Sequence, residues 1–307
     1  MRPLILLVGP TAVGKTGVAV DLAAHLNAEI VSADSRQVYR YMDIGTAKPT
    51  AEERARVPHH LLDVVEPDQT LTLAQYQEQA YAALDDITGR GRVPMLVGGT
   101  GLYVRAVAEG WTIPRVAPNP ALREVLLARA EREGGAALYD ELRAADPAAA
   151  ERIDPRNVRR VVRALEVYYG TGQAFWAQRQ RRAPPYDLLW IGLTMPRPAL
   201  YERADRRIDA MVRAGWAEEV RDLIARGYSL NLPAFSALGY REMAAYVQGQ
   251  VALQDALAQI RRNTRNFIRH QYAWFRPQDP RLHWFDMSEP CLGSIQELAL
   301  SFVGSTR

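Results

Sequence analysis

The sequence predicts an α/β protein: a parallel sheet flanked by helices and interrupted by an all-helical insertion. Three observations carry that expectation. Short apolar runs alternate with helical patterns from the N-terminus onward, the rhythm of a parallel sheet. The first run, Leu4 to Val8, leads directly into Gly9-Pro10-Thr11-Ala12-Val13-Gly14-Lys15-Thr16, which matches the G-x-x-x-x-G-K-[ST] pattern of a phosphate loop set between a strand and a helix. The stretch from about Pro118 to Pro185 is helical and arginine-rich with proline-rich edges. The core is therefore expected to be a P-loop NTPase-like sheet in residues 1–115 and 187–307, with the helical insertion at 116–186 and basic helices toward the C-terminus.

The elements follow in order. Leu4–Val8 and Ala28–Ser32 read as strands around a helix from Lys15 to about Leu26. Leu73 to about Ile87 reads as a helix, Pro94–Val97 as a buried strand, and Leu188–Met195 as another after the long gap. Within that gap Ala121–Arg132 and Asn157–Tyr169 fit helices, the second ending at Gly170 as a C-cap. Pro198–Ala214, Ala217–Ala225 and Val251–Phe275 are further helices, and Leu282–Trp284 a short last strand.

At 307 residues and 48% apolar side chains the chain is long enough for a sizeable core and too apolar for wholesale disorder. No apolar run approaches the roughly 18–20 residues of a membrane span, and the N-terminus does not read as a signal peptide. The lone Cys291 forms neither an internal disulfide nor a cysteine metal cage, so a reducing, cytoplasmic home is expected. Of 38 basic residues only two, Lys15 and Lys48, are lysines. Where arginine serves for almost every cation, a remaining lysine is a candidate for a position that needs a compact ammonium with three donors. The net charge of +3 is also uneven: residues 151–182 hold eight arginines against three acids, and residues 259–281 six against one. Two such segments on an otherwise acidic chain point to a polyanionic partner.

The phosphate loop has its own chemistry. Its glycines let the backbone curl around an anion, the helix N-terminus points amides at it, Lys15 supplies a point charge, and the Thr16 hydroxyl suits Mg2+. Nucleotide-hydrolysing and kinase loops generally add a second, metal-binding aspartate after an apolar strand. Here the best such strand ends in Gly98-Gly99-Thr100-Gly101, and Asp63 is the nearest substitute. In a doubly wound sheet ligands gather beyond the carboxyl ends of the strands. Asp34, after the second strand, and Thr100 are thus expected at the same edge as the loop, Asp34 as a metal ligand, helix cap or general base.

Beyond the loop, the chain contains Ser32-Ala33-Asp34-Ser35-Arg36-Gln37-Val38-Tyr39, Asp43-Ile44-Gly45-Thr46-Ala47-Lys48-Pro49, Pro58-His59-His60-Leu61-Leu62-Asp63 and Val97-Gly98-Gly99-Thr100-Gly101-Leu102-Tyr103. Further on come Asn157–Val167, Ala237–Glu242, and the run from Thr264-Arg265 to Arg276. Together these resemble the bacterial tRNA dimethylallyltransferases, also called tRNA isopentenyltransferases, over nearly the whole length. Departures occur at His270 and Ser236, where that family more often has a basic residue and a glutamine respectively.

The resemblance implies transfer of the dimethylallyl group from dimethylallyl diphosphate to N6 of the adenosine next to the anticodon, position 37, releasing diphosphate. It implies that Gly9 to Thr16 hold the diphosphate with Mg2+ at Thr16, and that Arg207 faces it. Asp34 would take the amine proton and Thr100 would orient the amine or diphosphate. Asp34, Ser35, Arg36, Gln37, Thr100, Arg123, Arg159, Arg160, Val161, Val162 and Arg163 would lie against the anticodon stem-loop of a tRNA, the enzyme acting as a cytoplasmic monomer. The rival readings are a small-molecule or nucleotide kinase, a prenyltransferase acting on free adenine nucleotides, and an RNA-binding module with a vestigial loop. His59-His60 lacks further ligands at metal spacing, and Tyr272, Trp274 and Phe275 read as core residues on an amphipathic helix.

Overall fold

The computed structural model describes residues 2–114, 116–175 and 184–306. They form two compact units, Met1–Ala108 with Pro185–Arg307, and Glu109–Pro184. The elements in chain order are β1 (Arg2–Val8), α1 (Lys15–Leu26), β2 (Ala28–Ser32), α2 (Ala51–Arg56), β3 (His59–His60), α3 (Leu73–Gly89), β4 (Val93–Gly98) and α4 (Gly101–Ala108). The second unit holds α5 (Pro120–Glu133), α6 (Gly135–Ala145), α7 (Pro147–Ala150) and α8 (Val158–Thr171). The chain then returns with β5 (Tyr186–Thr194), α9 (Arg197–Arg213), α10 (Trp216–Ala225), α11 (Tyr240–Val247), α12 (Leu253–Trp274), β6 (Leu282–Asp286) and α13 (Leu292–Ser305).

The six strands form one parallel sheet in the order β3-β2-β4-β1-β5-β6. Successive side chains of a strand point to opposite faces, so the unbroken apolar run of β1 needs cover on both. Ile5 and Leu7 pack with Val18, Ala19 and Leu22 of α1 and with Ile295 and Ala299 of α13, whereas Leu4, Leu6 and Val8 pack with Tyr76, Ala80 and Leu84 of α3. Val8 is level with Gly98 and Gly192 of its neighbours, so the turns after β1 and β4 leave at the same height. A third apolar cluster joins α9, α10, α11 and α12 around Trp216 and Tyr240.

The two-residue β3 is too short to announce itself by alternation, and its histidines have structural partners. His59 Nδ1 lies 2.8 Å from the Val57 carbonyl, and His60 Nε2 lies 2.7 Å from Glu29 Oε2. The buried Glu29 carboxylate also accepts from Arg90 at 2.5 and 2.8 Å. Those Arg90 bonds, aided by His60 and opposed by burial, hold its pKa down to about 2.

In the helical unit, Leu126, Leu138, Leu142, Val161, Val162 and Leu165 form the core. The α8 C-cap expected at Gly170 lies two residues further on. Gly170 lies within the helix, which continues to Thr171, and Gly172, with φ 68°, is the left-handed C-cap.

Candidate functional site

The phosphate loop follows β1 and opens α1, where the first backbone N–H groups have no partner within the helix. Gly14 is the N-cap residue with φ 104°, and a Cβ there would lie 2.9 Å from Arg203 Nη2, so a guanidinium from α9 sits over the loop. The Lys15 ammonium is folded onto the loop, donating to the Gly9 carbonyl at 3.0 Å and the Pro10 carbonyl at 2.8 Å. Thr16 and Lys15 line a small cavity of about 50 Å³ whose wall also includes Ser32, Asp34 and Gln37.

Asp34 stands just past β2, with Oδ1 accepting from the Arg36 N–H at 2.8 Å. The Thr100 hydroxyl oxygen accepts from the Ser35 N–H at 3.0 Å, and the Thr100 N–H donates to the Ala33 carbonyl at 3.1 Å. The turns after β2 and β4 are thereby laced together. Gln271 of α12 completes the connection: its buried amide accepts from the Thr11 N–H at 2.8 Å and donates to the Gly99 carbonyl at 3.2 Å. Gln271 bridges the phosphate loop and the Thr100 turn, a role its place in a helical pattern did not signal.

Beside these groups lies a cleft of about 260 Å³. Thr11, Ala12, Asp34, Thr100 and Arg207 border it, and Ile208, Met211, Trp216, Leu238 and Ile260 give it apolar walls. Asp34 lines both this cleft and the small cavity at Thr16. Trp274 also lines the cleft while packing on the sheet core, whereas Phe275 is buried and the Tyr272 hydroxyl is 2.9 Å from that of Thr194.

Burial lowers the Lys15 pKa to about 8, with Arg207 adding to the fall and Asp34 opposing it. Burial also lowers Arg207, with Arg203 contributing and Asp34 opposing. A site that disfavours its own cations is one that an anion relieves. Because free Lys15 is depressed, it loses its proton as pH rises through about 8, and an anion such as diphosphate bound at the loop would restore it. Affinity for inorganic diphosphate should therefore fall above pH 8 by up to about tenfold per pH unit, with proton uptake on binding by calorimetry. Lys15→Arg should remove that pH dependence.

The segment between β2 and β3 is fixed from inside. Lys48, buried with its side chain 1% exposed, donates to the Tyr39 carbonyl at 2.6 Å and to Asp43 Oδ1 and Asp63 Oδ1 at 2.5 Å each. Asp63 Oδ2 accepts from Arg54 at 3.1 Å, so Asp63 is committed to structure and is no substitute metal ligand. The Gln37 amide donates to the Ala47 carbonyl at 3.0 Å and accepts from the Ser32 hydroxyl at 3.2 Å. Glu219 of α10 accepts from the N–H groups of Asp43 at 2.7 Å, Ile44 at 2.6 Å and Gly45 at 3.2 Å. Arg36 Nη1 donates to the Pro233 carbonyl and to the Ser236 hydroxyl at 3.2 and 3.1 Å.

The arginines expected at an RNA surface separate into two sets. Arg123 and Arg163 both bond the buried Glu166, whose carboxylate also accepts from the Asn119 N–H at 2.7 Å. Burial alone would raise the Glu166 pKa, and these bonds outweigh it and hold it below the usual carboxylate range. Val161 and Val162, expected against the tRNA, bury their side chains in the core of the helical unit, which leaves only their backbone for such a contact. Arg159 and Arg160 are exposed and have no acidic partner among the described residues. Arg179, Arg181 and Arg182 lie outside the described residues. In the C-terminal basic stretch, Arg261 and Arg265 pair with Asp209 and Asp205 of α9, both at 2.6 Å.

Fold and site define a P-loop α/β protein whose loop opens onto an apolar cleft with one aspartate at its edge. The model of the IPP transferase family matches residues 37–278, and the chain belongs to that family. A curated tRNA dimethylallyltransferase from Roseiflexus castenholzii is 55% identical over 276 residues, 90% of each chain. A solved tRNA isopentenylpyrophosphate transferase from Bacillus halodurans is 41% identical with a TM-score of 0.74, covering 99% of this chain and 98% of that one. A eukaryotic dimethylallyltransferase acting on tRNA shares the fold at 23% identity with a TM-score of 0.82, over 99% of this chain and 80% of that chain.

Proposed function

We propose that this chain is a tRNA dimethylallyltransferase, moving the five-carbon group of dimethylallyl diphosphate to N6 of the adenosine beside the anticodon. The observation that carries the reading is the place of Asp34, on the wall shared by the cavity at Thr16 and the apolar cleft. A diphosphate on the loop puts the C1–O bond of a prenyl donor next to that carboxylate. The N6 lone pair forms the new bond to C1, the C1–O bond breaks with its electrons leaving on diphosphate, and the N6 proton passes to Asp34. Asp34 Oδ2 has no hydrogen-bond partner among the described residues, which suits it to receive that proton. Thr100 and Ser35 hold the aspartate's turn, and Lys15, Arg203 and Arg207 surround the leaving group.

The residues at the loop suit Mg2+. The Thr16 hydroxyl has no partner among the described residues, and Thr16 lines the same small cavity as Asp34. No cluster of three His, Cys, Asp or Glu able to hold a metal occurs among the described residues. Mg2+ characteristically takes few protein ligands and relies on substrate phosphates and water. When bound, Mg2+ neutralises charge on the departing diphosphate.

On the tRNA side, Arg159 and Arg160 at the start of α8 are available for phosphates, while Arg123 and Arg163 shape the helix that presents them. Changing both exposed arginines to alanine should weaken tRNA binding and reduce the slope of log K against log salt by about one per residue. An unchanged slope in titrations at several salt concentrations removes this helix from the interface. No helix among the described residues is long and apolar enough to cross a membrane, and we take the enzyme to act as a cytoplasmic monomer.

The direct test incubates the protein with labelled dimethylallyl diphosphate, Mg2+ and unmodified tRNA. Label in the tRNA at the adenosine next to the anticodon supports the reading. Consumption of ATP with no label in RNA replaces it with a kinase, and label in free adenine nucleotides alone with a nucleotide prenyltransferase.

A further inference from the structure

Helix α9 runs along the cleft with Arg203, Arg207 and Met211 at intervals of four residues, each step about 6 Å along the axis. The Arg203 guanidinium lies over Gly14 of the phosphate loop, and Arg207 and Met211 border the cleft one and two turns further on. Trp216, the first residue of α10, lines the same cleft with its indole 1% exposed. Two glycines clamp that ring: a Cβ on Gly45 would lie 2.1 Å from Nε1, and one on Gly239 would lie 2.2 Å from Cη2. Tyr240 packs edge-on, ring centroids 5.8 Å apart, so the indole is a fixed wall. Met211, buried in the same apolar cluster as this wall and lining the cleft with it, is the adjustable part.

We propose that Met211, backed by the immobile Trp216, is the gauge that restricts the prenyl donor to five carbons. This inference rests on the prenyl-transfer reading of the same site. With the diphosphate at the loop and C1 level with Arg207 and Asp34, the in-line carbons C1 to C4 of a dimethylallyl chain span roughly 4 Å, at about 1.3 Å per extended bond. That fits within the single turn between Arg207 and Met211. A ten-carbon geranyl chain adds four in-line bonds, roughly 5 Å more, and drives its end into Met211 and the indole. Apolar pockets discriminate a methylene by about 10–200-fold, and a wall that does not yield discriminates more sharply than one that adapts.

The test compares dimethylallyl and geranyl diphosphate as donors to unmodified tRNA, using the full-length chain with Mg2+. The reaction is the same for either donor: the N6–C1 bond forms, the C1–O bond breaks, diphosphate leaves, and the proton goes to Asp34. Met211→Ala should raise the geranyl-to-dimethylallyl ratio of kcat/KM by at least about tenfold, and Met211→Val by less. The inhibition constant of inorganic diphosphate reports whether each variant retains its loop, and Met211→Val supplies a milder change should the alanine variant fold poorly. An unchanged ratio in variants that still bind diphosphate overturns the gauge. A wild-type protein that transfers neither group to tRNA overturns the prenyl-transfer reading itself, whatever Met211 does.

Discussion

Replacing Asp34 with asparagine should lower kcat for prenyl transfer by about 10²–10⁴-fold, the usual contribution of a positioned general base, while changing the tRNA dissociation constant only a few-fold. The expectation follows from how the residue is held. Oδ1 is fixed by the Arg36 N–H at 2.8 Å, an interaction that an asparagine oxygen reproduces, so the turn after β2 keeps its shape. The lost property is the basicity of the second oxygen. An adenine N6 amine has its lone pair delocalised into the ring, so it becomes an adequate nucleophile only as its proton departs. Single-turnover measurements with saturating donor and tRNA separate this from binding. Equal losses in turnover and tRNA affinity would make Asp34 a recognition residue and move the proton acceptor elsewhere.

Much of this site is legible in the sequence because its signals are local. The phosphate loop is eight contiguous residues between a strand and a helix, and Asp34 and Thr100 both fall just past apolar runs, so a parallel sheet delivers them to one edge. Other groups reach the site from far along the chain. Gln271 lies 260 residues from its partner Thr11, and Glu219, from α10, accepts three N–H groups of the Asp43–Gly45 turn. Neither can be read from spacing, because an isolated Gln or Glu on an amphipathic helix looks like a solvated face. Arg203 shows the finer limit. A cation near the diphosphate was expected at Arg207, but that a second guanidinium four residues earlier covers Gly14 depends on the packing of α9 over the loop.

The charge pattern was legible in sum and misleading in detail. Arg123 and Arg163 belong to a basic helical block, yet their guanidiniums converge on Glu166, which itself looks like one more surface acid in sequence. The same holds for Arg261 and Arg265, whose acids come from another helix. Counting like charges along a chain identifies a surface only after the buried counter-charges have been subtracted, and those are visible only in three dimensions. What remains on the first basic segment, Arg159 and Arg160, is a smaller and more specific RNA-facing candidate than the run of arginines suggested.

Lys48 should prove as irreplaceable for stability as Asp34 for turnover. In a chain that uses arginine for 36 of its 38 basic residues, this lysine is buried where three oxygens converge, the Tyr39 carbonyl, Asp43 Oδ1 and Asp63 Oδ1. An ammonium directs three donors from one small centre, whereas a guanidinium spreads its donors in a plane and needs more room. Lys48→Met leaves the Tyr39 carbonyl without its partner and removes the cation between two carboxylates. Loss of one member of a buried pair costs about 3–5 kcal/mol. Because Asp43 is 59% exposed and Asp63 keeps Arg54, solvent and that arginine recover part of the loss, and about 2–4 kcal/mol is expected. For a chain of this size that is a fall in Tm of roughly 5–15 °C. Lys48→Arg, which conserves charge, should not restore the wild-type melting temperature. The damage should also reach the site, since Asp43 and Lys48 brace the turn that carries Gly45 against Trp216. At temperatures where the variants remain folded, KM for the prenyl donor should rise more than kcat falls. A Lys48→Arg protein that melts with the wild type would mean that the ammonium's shape is immaterial and that the second lysine survives by chance.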